Sequence, residues 1–289
     1  MIGVIGGSGI YQVDGLENAR WERVSSSFGE PSDELYFGTL GGTEVVFLPR
    51  HGRGHVHSPS DVNYRANIDA LKRAGVESII ALSAVGSLRE DLAPGTFVVV
   101  DQFIDRTFAR PKSFFGAGLV AHVSMGHPVC ARIGDALFDA GKAEGASIAR
   151  PGTYVVMEGP QFSTLAESNL YRSWGASVIG MTNMPEAKLA REAEICYATL
   201  AMVTDYDCWH PDHDHVTVDD VLAVLAKNGE MARRILKRVV PALGAQAGPC
   251  PHGCDHALET AIMTHPEKRD PAMEKKLEAI IARVSKRSR

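Results

Sequence analysis

Short, uninterrupted apolar runs rich in β-branched residues recur along the chain, and they restrict its fold more than any other feature. Val45-Val46-Phe47-Leu48, Ser78-Ile79-Ile80-Ala81-Leu82, Phe97-Val98-Val99-Val100, Tyr154-Val155-Val156-Met157, Val178-Ile179 and residues 197–203 lack the polar alternation of a half-exposed strand. Runs of this kind suit strands covered on both faces. Helical periodicity lies between and after them, at residues 61–74, 164–174, 185–194 and 218–239. Gly75 follows the first of these, and Pro185 opens the third, where a missing amide proton costs nothing. The alternation predicts an α/β fold with a sheet flanked by helices.

No internal repeat, low-complexity block or linker interrupts the first five-sixths of the 289 residues. Residues 1–243 therefore read as one domain, and 244–289 as a C-terminal loop followed by an amphipathic helix. Met273, Leu277, Ile280, Ile281 and Val284 share one face of that helix, which should pack on the domain or on a neighbouring subunit. The formal net charge is −5, with no basic stripe to neutralise a nucleic-acid backbone, so a small-molecule partner is expected. The opening Met1-Ile2-Gly3-Val4-Ile5 reads as a strand rather than a secretory leader, and no apolar run approaches a membrane span. Five scattered cysteines favour reduced thiols and a cytoplasmic setting.

Several turns next to strands carry chemistry. Gly6-Gly7-Ser8-Gly9 offers backbone amides and a hydroxyl to an anion, or is simply a tight strand-ending turn; it lacks the dinucleotide and P-loop patterns. Pro49-Arg50-His51-Gly52-Arg53-Gly54-His55 crowds cationic and imidazole groups after a strand, and Arg50 can present a planar fork to phosphate. A third strand ends in Ser83-Ala84-Val85-Gly86-Ser87, at the carboxyl edge where open α/β sheets bind ligands. Asp205 and Asp207 alternate across Tyr206; an extended segment would hold both carboxylates on one side, about 7 Å apart, although a turn or helix cap also uses such residues.

Taken with Asn63-Tyr64-Arg65-Ala66-Asn67, Gly86-Ser87-Leu88-Arg89, residues 101–107, Glu158-Gly159-Pro160-Gln161-Phe162-Ser163, Ala166-Glu167-Ser168, Met181-Thr182 and Thr204-Asp205-Tyr206-Asp207-Cys208-Trp209, these motifs carry a resemblance. The chain resembles the trimeric purine nucleoside phosphorylase superfamily, and within it the enzymes acting on 5′-methylthioadenosine. The resemblance implies a single-domain phosphorylase/hydrolase-like fold with a twisted mixed sheet, a homotrimer or dimer of trimers, and no cofactor beyond phosphate as co-substrate. It implies phosphate held by Ser8, Arg50, His51, Ser83, the Ala84 amide and Thr182. Met181 would lie beneath the ribose, Phe162 and Ser163 at the base, and Asp205 and Asp207 at the N7 and 6-amino edge. His55, His122, Val218 and Val221 match positions near the 5′ substituent, His122 coming from an adjacent subunit. Val218 and Val221 also fit plain core packing.

The activity implied is reversible phosphorolysis of 5′-methylthioadenosine to adenine and 5-methylthioribose 1-phosphate, with 5′-deoxyadenosine accepted too. Asp205 and Asp207 are the expected catalytic pair, with Asp205 donating toward N7. Ser163, standing where 6-oxopurine relatives carry Glu, and Asp205, where they carry Asn, favour an aminopurine; Val218 would set 5′ specificity. The alternatives are a methylthioinosine or inosine phosphorylase and a non-catalytic nucleoside binder. No metal site is assigned. Cys250-Pro-His252-Gly-Cys254-Asp-His256 is weighed as zinc ligands against a surface loop or a disulfide as in some relatives, and His210-Pro-Asp-His213-Asp-His215 reads as a loop closing over the base.

Overall fold

The computed structural model describes residues 1–7, 9–211, 218–246 and 248–285, with the side chains of 218–223 left aside. The chain begins with β1 (Ile2–Gly6), β2 (Leu16–Glu22), β3 (Leu35–Leu40), β4 (Thr43–Pro49), α1 (Tyr64–Arg73) and the long β5 (Ser78–Ser87). It continues through β6 (Phe97–Val100), β7 (Gln102–Arg106), α2 (Ala131–Ala143), β8 (Ile148–Ala149), β9 (Thr153–Met157), α3 (Leu165–Ser173), β10 (Val178–Gly180) and α4 (Asn183–Glu192). β11 (Cys196–Asp205), α5 (Val218–Gly244) and the short α6 (Pro271–Lys276) and α7 (Ala282–Ser285) follow.

The strands form one mixed, eleven-stranded sheet that branches at β5. β1 pairs in parallel with β4 and β5, and β11 runs parallel along the other side of β5. At its far end β5 meets β10 antiparallel, and β10, β9 and β7 then continue in parallel. Within the shared strands successive side chains enter opposite cores, as a period of two requires. Ile79, Ala81, Tyr197 and Ala201 join α1, α4 and the C-terminal segment, whereas Ile80, Leu82, Ala198 and Leu200 join α2 and α5. Helices thus cover both faces, and the apolar runs are continuous for that reason.

Elements absent from the sequence expectation have weak local signals. β2 is mostly exposed and has no apolar run; its Trp21 meets Tyr11 edge to face and Tyr36 at a tilt instead. α2 carries two glycines, which lower helix propensity. Gly141 gives Ile148 room there, since a Cβ would stand 2.5 Å from Ile148 Cδ1 and the isoleucine would have to shift. At the C-terminus the expected single helix is broken into α6 and α7 by a turn, with Glu278 N–H tightening onto the Lys275 carbonyl. The expected apolar face still packs: Leu277, Ile280 and Ile281 are buried in the core of the same chain.

α5 runs past the expected end at 239, through Pro241 to Gly244. Its end seats against the β3–β4 turn because Gly41 has no side chain to meet the Pro241 ring. Gly41 has φ +55°, and a Cβ there would lie 2.5 Å from Pro241 Cγ; Gly42 has φ +79° with open space around it. Gly42→Ala should therefore cost only backbone strain, about 1 kcal/mol, and Gly41→Ala about 1–3 kcal/mol more from overpacking. Urea unfolding of the two variants checks this; equal losses would contradict the packing role.

Candidate active site

The phosphate-binding candidates converge because of register. Gly6 is paired with Pro49 and Ile5 with Ala81, so the residues just beyond, Gly7, Arg50 and Ser83, lie at one level. β10 reaches that level from the opposite direction: Ile179 pairs with Gly86, and counting back along β5 brings Thr182 beside Ser83. Ser8 lies outside the described residues. The third strand ends in the Ser83–Ser87 stretch as expected, and β5 stays extended as far as Ser87 because β11 and β10 keep pairing with it. β1 stops earlier, which opens that flank of β5, and Ala84 is exposed amid buried neighbours.

Arg50 is almost wholly buried, and its guanidinium forks onto Glu186 of α4, Nε to Oε2 at 2.7 Å and Nη2 to Oε1 at 2.9 Å. Nη1 donates to the Leu82 carbonyl at 2.9 Å, leaving two of its five N–H groups available. Burial works against its charge, but Glu186 more than compensates and keeps the pKa above the usual value. Tyr197 Oη also donates to Glu186, at 2.8 Å. Thr182 is the residue before α4, and its side chain makes no capping bond.

Tyr154 ties the level together. Its buried hydroxyl lies 3.0 Å from Ser83 Oγ and also interacts with Thr182. A Cβ on Gly180 would stand 2.0 Å from that hydroxyl, so only glycine fits beside it. His51 Nδ1 lies 2.9 Å from the His57 carbonyl oxygen, and since a carbonyl only accepts, Nδ1 carries the proton. Burial, then Arg50, pulls the His51 pKa down to about 4, so the ring is neutral near pH 7 with Nε2 as an acceptor. His55, with φ +57°, stacks on it at 4.3 Å.

The carboxylate pair lies at the far end of β5. Asp205 is paired with Gly86, three residues from Ser83, about 10 Å at the strand rise. The extended spacing expected for the two aspartates is not what brings them together. Asp207 has φ +54°, so the chain turns, and its N–H donates to Asp205 Oδ1 at 2.7 Å. Gly86 is packed against both: a Cβ would lie 2.9 Å from Asp205 Oδ1 and 3.3 Å from Asp207 Cβ.

Thr204 Oγ1 donates to Asp205 Oδ2 at 2.7 Å. Burial raises the Asp205 pKa, with Thr204 and the Asp207 amide opposing the shift. Burial pushes Asp207 up to about 6, and the neighbouring Asp205 adds to it. Asp207 Oδ2 is buried without a hydrogen bond, and so is Ser168 Oγ.

The loop ahead of α3 approaches this pair. Thr164 and Glu167 form a capping box that fixes the start of α3, just after Phe162 and Ser163. Phe162 is exposed, and the Ser163 carbonyl accepts from Cys208 Sγ at 3.4 Å. Arg110, which sequence reasoning missed, ties this loop to the segment that carries Met181 and Thr182. It donates to the Glu158 and Met184 carbonyls and, at 2.6 Å, to that of Met181. A Cβ on Gly159, φ +69°, would lie 2.5 Å from Met181 Sδ. Arg110 stands in a loop with no strand or helix pattern, and only the fold reveals its partners.

His122 is not part of this cluster. It lines a cavity of about 430 Å³ with Lys188 and Glu192, ten residues along α4 from Thr182, about 15 Å by helix rise. Val218 and Val221 lie in the first turn of α5, whose side chains are among those left aside.

The arrangement sets a cluster of candidate anion ligands and an acid pair about 10 Å apart along one strand, a layout that suits a glycosyl-transferring phosphorylase. The family model described as Phosphorylase superfamily matches residues 1–241, and the chain belongs to that superfamily. Within it the chain falls with the S-methyl-5′-thioadenosine phosphorylases. It is 64% identical over 284 residues to the one from Rhodospirillum rubrum, covering 98% of this chain and 97% of that protein. The one from Cereibacter sphaeroides is 60% identical over 286 residues, covering 99% of each. A solved methylthioadenosine phosphorylase from an antarctic soil metagenomic library superposes with a TM-score of 0.90 at 47% identity, covering 96% of this chain and 98% of that one. The Schistosoma mansoni methylthioadenosine phosphorylase in complex with adenine gives 0.79 at 39% identity, over 85% and 92%.

Asp207 carries a stability consequence. Its folded pKa, near 6, lies above the unfolded value of 3.8, so ionising it penalises the fold. That penalty is absent below about pH 3.8, grows to about pH 6 and is complete above it. Asp207→Asn should add up to about 3 kcal/mol to the unfolding free energy at pH 8, seen as a higher thermal midpoint, with the gain shrinking toward pH 4. A gain independent of pH would mean that ionisation is not its cause.

Proposed function

We propose that the chain catalyses the reversible phosphorolysis of S-methyl-5′-thioadenosine to adenine and 5-methylthioribose 1-phosphate. The observation that carries this reading is the separation of two unlike centres by about 10 Å along β5, with Arg50, Ser83 and Thr182 at one end and Asp205 with Asp207 at the other. A nucleoside spanning that distance has its anomeric carbon above a bound phosphate and its base against the acids.

Cleaving the glycosidic bond builds positive charge on the sugar and negative charge on the leaving purine. Phosphate, held by the two free N–H groups of Arg50 and the hydroxyls of Ser83, Thr182 and Ser8, is both counter-charge and nucleophile. His51 enters neutral; its Nε2 accepts from a protonated phosphate oxygen and donates to the anion only after taking up a proton. Met181 supports the ribose. Asp205 hands a proton or a strong hydrogen bond to N7, and the raised pKa values of both aspartates make one shared proton available near neutrality. The other carboxylate accepts from the 6-amino group, while Phe162 and Ser163 line the base.

A carboxylate repels a 6-oxo group, which favours adenine over hypoxanthine. We place Val218, Val221 and His55 near the 5′ group. His122, which sits apart from the site in its own chain, completes a neighbour's site in a cytoplasmic homotrimer. Because removing a small apolar group costs only about 1–3 kcal/mol, 5′-deoxyadenosine should also react.

The test is adenine release from S-methyl-5′-thioadenosine with and without phosphate, beside methylthioinosine and adenosine. Strictly phosphate-dependent release, faster than from adenosine, is expected; preference for methylthioinosine would overturn the roles of Asp205 and Asp207, and no turnover would mark a nucleoside binder. Asp205→Asn should lower kcat about 10²–10⁴-fold. Tyr154→Phe, which removes the hydroxyl between Ser83 and Thr182, should raise KM for phosphate several-fold and leave KM for nucleoside little changed, as steady-state kinetics can separate.

A further inference from the structure

Far from the carboxylates, the fold gathers four cysteines that are scattered along the sequence. Cys130 precedes α2, Cys196 opens β11, and Cys250 and Cys254 flank a tight turn in the C-terminal segment. Their sulfurs all lie within 4.8 Å of one another, and all four residues are buried. Cys130 Sγ and Cys250 Sγ are 3.7 Å apart. A tetrahedral zinc tetrathiolate has Zn–S bonds of about 2.3 Å, which sets its sulfurs about 3.8 Å apart. A disulfide needs about 2.05 Å and joins sulfurs in twos. Here each sulfur instead has three near neighbours.

We propose that Cys130, Cys196, Cys250 and Cys254 form a structural zinc site. Their donor set, four thiols and no open position, suits a closed structural ion rather than a catalytic one. The local Cys-x-His-x-Cys-x-His run is not the ligand set: His252 and His256 are exposed, and His256 Nδ1 is within 2.9 Å of Asp255. Two distant cysteines take their places.

The surroundings match a cluster that carries net negative charge once zinc is bound. Binding converts four thiols to thiolates and releases up to four protons, leaving a site of formal charge −2. Arg132 Nη2 lies 3.8 Å from Cys196 Sγ, and Arg132 Nε is buried without a hydrogen bond. A cation thus already faces the sulfurs. Gly253, at φ +66°, folds the Cys250–Cys254 turn; its N–H donates to the Cys250 carbonyl and the Cys250 N–H to Asp255 Oδ2.

Such a centre would pin the C-terminal segment to the body of the domain. Cys130 N–H bonds the Tyr197 carbonyl, so α2 and β11 already meet there, and zinc adds residues 250–254 to that junction. Directly after it, Met263 N–H bonds the Val120 carbonyl and His122 N–H the Ala261 carbonyl. The staple therefore steadies the strand of chain that presents His122.

The test is elemental analysis of the full chain purified without chelator, with thiol counting and intact mass on the same sample. About one zinc per chain is expected, with the four thiols slow to react until a mercurial displaces the metal. Cobalt reconstitution should give the intense visible bands of a tetrahedral thiolate site. Cys254→Ser should lose the metal, while His252→Ala and His256→Ala retain it; loss of zinc in the histidine variants would overturn the ligand set. Four freely reactive thiols without metal, a mass four hydrogens low from two disulfides, or bound iron in place of zinc would each overturn the proposal. None of these readouts depends on catalytic activity, so the site and the proposed reaction stand or fall separately. Hydrogen exchange in residues 119–123 and 257–263 should rise when the metal is removed.

Discussion

The carboxyl edge of the sheet, where the proposed phosphate ligands gather, is organised around one buried ion pair. Arg50 at the end of β4 and Glu186 on α4 are both nearly inaccessible to solvent, and their fork is the link that fixes the helix against the carboxyl edge of the sheet. Taking two charges out of water is costly, and a buried pair of this kind contributes little net stability; losing one partner would leave an unpaired charge at a cost of about 3–5 kcal/mol. Its value is positional. Glu186 and the Leu82 carbonyl occupy three N–H groups of Arg50, and the planar guanidinium then has only two directions left in which to donate. Tyr197 from β11 braces the same carboxylate. One strand end, two other strands and a helix are thereby referred to a single guanidinium plane.

The second constraint is the length of β5. It outruns β1 on one flank and is accompanied by β11 to Gly86 on the other, so a single strand carries both the level of Ser83 and the level of the carboxylates. Environment then separates carboxylates of the same chemical type. Glu158 is partly buried too, but Ser60, the amides of Phe108 and Ala109, and Arg110 outweigh the burial and hold its pKa down near 2. Asp207 has no donor on Oδ2 and moves the other way. The first remains a charged brace for its loop, and the second becomes a group that can hold a proton near neutrality.

The apolar runs were legible as strands because covered strands have an unmistakable composition, and each was found where the pattern placed it. β2 and α2 were not, since one is a polar edge strand and the other carries two glycines that lower its helix propensity. Among the candidate site residues, Arg50 could be picked out because it follows a strand, Thr182 because it lies between a strand and a helix, and Ser83 because it opens a small-residue stretch near a strand's carboxyl end. Tyr154, Glu186 and Arg110 could not: their function consists of contacts 71 to 136 residues away along the chain. The two aspartates were correctly paired but for the wrong local reason, a turn at Asp207 having replaced the extended spacing.

By itself the sequence determined where the covered strands and the main helices lie, that both faces of the sheet are covered, and which turns beside strands hold polar groups, because those are consequences of local composition and period. Only the tertiary structure decided register, and with it which groups meet. Register and packing bring Thr182 and Ser83 to the same Tyr154 hydroxyl, leave Arg50 two free donors, separate Ser83 from the level of the acids by three residues of β5, and draw Cys130 and Cys196 to a turn more than fifty residues further on. The physical reason is that hydrophobic pattern specifies what is buried, whereas partners distant in sequence are chosen by the pairing of strands and the close packing of helices upon them.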